Sequence, residues 1–144
     1  MEQLWAEFAV SSILAVLCVV IHGLGLFSLS HALHSETAVE RLKRIEPLSP
    51  RGVAFTLGIV VAMLALHGIE IWLFSFVYIG LGAIGAFEDA LYFSTISYST
   101  VGYSDIHIAA EWRLLGAFES ILGMVLLGWS TAFFFRMLSR MEAH

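Results

Sequence analysis

Three long apolar runs leave this chain few ways to fold. They extend from about Leu4 to Leu33, from about Val53 to Ala86 and from about Leu114 to Leu138. Glu7 and His22 interrupt the first, His67 and Glu70 the second, and Glu119 the third. A run of about 20 apolar residues is enough for a helix to cross a bilayer. Lipid offers no hydrogen-bond partners, so a run of this length must be helical. The predicted fold class is therefore an all-α membrane protein with three transmembrane helices. Composition agrees: 59 % of residues are apolar and 13 % charged, against roughly 45–50 % and 25 % in soluble domains. With 144 residues and a net charge of −5, no basic stripe for nucleic acid is present. Cys18 is the only cysteine, and its apolar setting predicts a buried, inert thiol.

The N-terminal "MEQLWAEF" carries acids where a secretory leader has a basic region. The expected division is an N-terminal transmembrane helix over 1–34, a cytoplasmic linker over 35–52 and a module over 53–144 that holds the two remaining runs. In the linker, Thr37 and Glu40 have capping-box spacing, and Val39, Leu42 and Ile45 suggest a short surface helix or an extension of the first one, with a solvated loop as the alternative. Ser49-Pro50 reads as a start signal for the second helix. Arg41, Lys43, Arg44 and Arg51 precede the second run, and Arg136 and Arg140 end the third. The positive-inside rule then puts both groups in the cytoplasm and the N-terminus outside, in a plasma (inner) membrane. Trp5, Trp72, Tyr78 and Trp112 suit an outer aromatic belt, with inner packing as the other use open to them.

Between the second and third runs lies "FEDALYFSTISYSTVGYSD", Phe87 to Asp105. Glu88 and Asp89 stand where a helix N-terminus favours acids. A helix over 87–99 spans roughly 20 Å, too short to cross. Its carbonyl end, and the glycine-containing peptide after it, must be buried in protein or line a wet path. "STVGYSD" closely resembles the potassium-channel filter signature T-V-G-Y-G-D. The order of flanking elements matches too: outer helix (53–84), short pore helix (87–99), filter (100–105), Trp112 and inner helix (113–140). The chain is thus similar to the potassium-channel pore family, resembling a small bacterial two-helix pore with an extra N-terminal helix.

That resemblance implies a homotetramer in the lipid bilayer, passing monovalent cations, with K⁺ as permeant ligand and no cofactor. K⁺ would be held by carbonyls of Thr100, Val101, Gly102 and Tyr103, which replace its hydration shell. Ser104 stands where the family has a second glycine, often at positive φ. Either the peptide after Tyr103 takes another conformation or Ser104 is strained, so altered selectivity or a non-conducting role stays open. Tyr92, Ser99 and Asp105 would support the filter. Tyr92 and Phe93 occupy positions where many relatives carry tryptophans that bond it from behind. A carboxylate that some relatives place four residues before the filter threonine is absent, that position being Ile96. Along the inner helix, Gly123 and Gly128 are candidates for a hinge or for close helix packing, and Phe134 for a hydrophobic gate.

His67 and Glu70 are three apart and share a helix face. With Glu119 they are expected to form a structural polar cluster or a pH-sensing one. His22, His67 and Glu70 also make a metal- or proton-handling reading conceivable. No nucleophile–base pair suggests an enzyme.

Overall fold

The computed structural model describes residues 1–33, 49–104 and 108–142, without the side chains of 33 and 140–142. The expected linker features at Thr37 and Glu40, the candidate Asp105 and the side chain of Arg140 lie outside the described residues. The chain folds into α1 (Glu2–Leu33), α2 (Pro50–Gly80), the short α3 (Phe87–Tyr98), a single 3₁₀ turn (Ala110–Trp112) and α4 (Arg113–Glu142). Helices α1, α2 and α4 are each long and apolar enough to cross a membrane.

Ser49 caps α2, its hydroxyl accepting from the Gly52 amide at 3.1 Å with Pro50 in the first turn. The helix begins three residues before the expected start at 53, because proline is already suited to the first helical position. It ends at Gly80 rather than 84. Gly82 takes φ +66, its amide bonds the Ile79 carbonyl, and the Ala83 amide bonds that of Tyr78. A left-handed glycine there satisfies carbonyls that the helix would otherwise leave open. The chain then turns directly into α3, whose 12 residues make about 18 Å of helix.

Helix α1 runs parallel to α4. At one end, Gln3 Nε2 donates to the Glu111 carbonyl at 3.3 Å, and Glu7 Oε2 accepts from the Leu114 amide at 3.1 Å. That carboxylate fills a capping role at the positive end of α4. Below it, Phe8 meets Phe118 edge to face at 5.5 Å. Further along, His22 meets Trp129 and Ser130. Helix α3 wedges between α2 and α4, and the core gathers around Phe74, Tyr78, Phe93, Tyr98, Leu115 and Leu126. Tyr78 is fully buried with its hydroxyl on Glu119; of its two expected uses, inner packing is the one found. Trp5 and Trp72 stay exposed on the outside of the bundle, and Trp112 is half-buried.

Candidate functional site

The last turn of α3 and residues 99–104 form one hydrogen-bonded unit. Ser99 closes the helix, and Thr100 follows at φ +61. The Thr100 amide donates to the Ser97 carbonyl at 2.9 Å, and the Val101 amide to that of Ile96 at 2.9 Å. This is the same helix stop that Gly82 makes for α2, but here a β-branched residue holds the left-handed position. Such a residue at positive φ is an outlier, costing on the order of 1–2 kcal/mol. Local strain of this kind concentrates at functional sites.

Direction follows from these bonds. The Gly102 amide also donates to the Ile96 carbonyl, at 2.9 Å. In a trans peptide the carbonyl points opposite to the N–H of the same unit. Three consecutive N–H groups, from Thr100 to Gly102, turn back onto α3. The carbonyls of Ser99, Thr100 and Val101 therefore all point away from it. Left-handed Thr100 and Gly102 (φ +57) alternate with Val101 and Tyr103, which have negative φ. Two neighbouring residues of opposite hand bring successive carbonyls to one side. The row is open in a single chain: Val101 is 48 % and Tyr103 80 % exposed. Among the described residues Thr100 is the non-glycine at positive φ. Ser104 therefore avoids the strain, and the alternation stops before it.

Behind Gly102, Tyr103 and Ser104 lies a cleft of about 300 Å³ between α3 and the start of α4, lined by Ser97, Arg113 and Ser120 among others. Tyr92 is half-exposed at the α3 surface, whereas Phe93 is buried edge-on against Tyr78. Ser99 Oγ bonds back to the Thr95 carbonyl at 2.7 Å, within the last turn of the helix.

Two buried carboxylates tie α3 to the long helices. Glu119 of α4 is fully buried; it accepts from Ser94 of α3 at 2.5 Å and from Tyr78 of α2 at 2.6 Å. Glu70 of α2 is also fully buried, and it accepts from the Tyr98 hydroxyl. His22 Nδ1 lies 3.1 Å from its other oxygen, and His67 Nδ1 lies 2.9 Å from the same hydroxyl. The sequence placed His22 on a separate helix from His67 and Glu70. The structure brings all three together, with possible ligand atoms within 4.8 Å of one another.

The sequence reading missed Tyr98, Ser94 and Ser130. A signal was present. Carboxylates inside apolar runs require donors, and Ser94 and Tyr98 lie four apart on one face of the short helix.

On α4, Gly123 is buried where an added Cβ would overlap the Tyr98 carbonyl. Close approach to α3 is therefore a role the structure gives it. Gly128 has no neighbour within 4 Å of such a Cβ. Phe134 is half-buried beside the exposed Phe135, their rings 6.2 Å apart.

The strain at Thr100 yields a paired test. Gly82→Ala is expected to lower stability by about 1 kcal/mol, because alanine is disfavoured at φ +66. Thr100→Gly is expected to raise it by a similar amount, about 1 kcal/mol, because glycine carries no Cβ penalty at φ +61. Thermal unfolding of the detergent-solubilised protein measures both effects.

Searches of curated proteins and of solved structures returned no match. A family model described as "Ion channel" matches residues 56–140, which takes in nearly all of α2, α3, the peptide after it and most of α4. With more than half its length inside that match, and with a short helix and strained peptide set between two apolar spans, the chain belongs to the two-transmembrane, potassium-channel-like ion channel family.

Proposed function

We propose that the protein is a potassium-selective channel, assembled from four copies around a shared axis. The observation that carries this reading is the row of carbonyls from Ser99 to Val101, turned away from α3 by three amide bonds back onto it. One chain supplies one side of such a row; a ring of oxygens able to replace the hydration shell of K⁺ needs several copies. The exposure of Val101 and Tyr103 in one chain supports a partner surface at that place. Thr100, Val101, Gly102 and Tyr103 would line the ion path. The N-terminus would face outward and the C-terminus the cytoplasm.

The conformation at Ser104 favours a second reading for the outermost position alone. Its backbone leaves the alternating pattern, so the outermost ion site would be weakened or lost while the inner ones remain. Selectivity would then be lower than in a filter with glycine at that point.

Reconstitution of the purified chain in liposomes tests both readings. K⁺ flux blocked by Ba²⁺, with little Na⁺ flux, is the expected result, together with a protein mass four times that of the chain. Comparable K⁺ and Na⁺ flux would favour the weakened filter. A well-formed tetramer without flux would mean a non-conducting subunit, and a dimer would end the tetrameric reading.

A further inference from the structure

We infer that Tyr98 is the positioning residue for the base of the filter, and that the N-terminal helix controls it through His22 and Glu70. The inference rests on reading residues 99–103 as the ion path.

Tyr98 is the last residue of α3 and is nearly fully buried. Its backbone and side chain are fixed from opposite directions. The carbonyl packs against Gly123 of α4 so closely that no side chain fits there. The hydroxyl reaches the Glu70 carboxylate of α2, beside His67. Two residues further on, Thr100 sits in its strained conformation. Rotation of Tyr98 would shift the Ile96 and Ser97 carbonyls that receive the amides of Thr100, Val101 and Gly102. The short helix and the carbonyl row therefore move together.

The other end of this network lies on α1, beyond the family match. His22 is fully buried, with Nδ1 3.1 Å from Glu70 Oε1 and Nε2 3.1 Å from Ser130 Oγ of α4. Four helices thus meet in one chain of polar groups: Ser130, His22, Glu70 and Tyr98. A carboxylate in a membrane interior is costly without partners. Removing His22 takes one of them away, and Glu70 must then reorient toward whatever donors remain. Tyr98 shares that carboxylate, so its hold on the filter base changes as well.

His22, His67 and Glu70 could also serve as ligands for a divalent transition metal. The contacts favour hydrogen bonding. Both His22 nitrogens, both Glu70 oxygens and His67 Nδ1 already have protein partners, and only His67 Nε2 is buried without one. A metal would have to displace Tyr98 from the Glu70 oxygen that accepts from it and from His67 Nδ1 beside it.

The test uses the full chain in liposomes and single-channel recording on wild type, Tyr98→Phe, His22→Ala and the double variant, at matched amounts of intact assembly. Ser12→Ala on the same helix is the control, since that hydroxyl bonds within its own helix, to the Phe8 carbonyl. Tyr98→Phe and His22→Ala are each expected to shorten open bursts about tenfold and to lower the K⁺/Na⁺ permeability ratio. The double variant should be no worse than Tyr98→Phe alone, which identifies one shared route. His22→Gln, which keeps a donor, should recover most of the loss.

Unchanged bursts in Tyr98→Phe, or additive effects in the double variant, would overturn the inference. So would one equivalent of zinc on the wild type that is lost in His22→Ala. Should the wild type pass no ions, the proposed function fails and hydrogen exchange decides this point separately. Faster exchange at the Val101 and Gly102 amides in His22→Ala would support the coupling, and unchanged exchange would overturn it.

Discussion

Gly123→Ala is expected to remove nearly all intact, active assembly. The new methyl group would overlap the Tyr98 carbonyl and crowd the Tyr98 Cα. Both are backbone atoms, and no side chain can rotate to make room. Helix α4 would have to move away from α3 just where the carbonyl row begins. Overpacking in a filled interior costs about 1–3 kcal/mol, and an obstacle made of backbone belongs at the upper end. If four copies assemble, the cost recurs in each. Gly128→Ala is the comparison, since nothing lies within 4 Å of its added methyl. Size-exclusion chromatography of both variants, with flux per milligram of intact protein, measures the difference. Equal yield and flux would mean that α4 is free to shift and that Gly123 acts as a hinge rather than a contact.

Glu119→Leu is expected to be the next most damaging change. Glu119 is fully buried and accepts from two hydroxyls on two other helices, Ser94 and Tyr78. Leucine fills much of the space but leaves both hydroxyls without this acceptor. Ser94 keeps a second one, the Ile71 carbonyl at 2.9 Å; the Tyr78 hydroxyl would be left buried with none of its present partners. An unmet buried hydroxyl costs about 1–3 kcal/mol. Glu119→Gln retains an acceptor oxygen and should lose less than half as much. Thermal unfolding in detergent gives the ordering wild type, Gln, Leu. Adding Tyr78→Phe to Glu119→Leu should return part of the loss, because the orphaned group is then gone. Failure of that rescue would show that Glu119 acts through something other than these two hydroxyls.

Both variants concern contacts between segments far apart in sequence, and this is where sequence reading ran out. The three spans were legible because lipid imposes length and apolarity on each segment separately. The short α3 was legible from its acidic first turn and its length. Ser49 was readable as a cap because a cap involves residues only three apart. The filter resemblance was legible because the relevant geometry belongs to consecutive residues. Even there, the observed φ at Thr100 reveals strain that residue identity alone did not announce. Ser104 had two possible outcomes in sequence, and the structure has the unstrained one.

Residue order, then, determined the three long helices, where a half-length one interrupts them, and which peptide can turn its carbonyls to one side. Those properties are set by solvent and by local sterics, within a few residues of one another. Tertiary structure alone decided that His22 would meet Glu70, that Tyr98 would be their common partner, and that Gly123 would leave room for a carbonyl. Such pairings depend on the rotation and depth of whole helices against each other. Many helix rotations bury similar apolar area, and only the few that also satisfy each buried charge and hydroxyl can be stable.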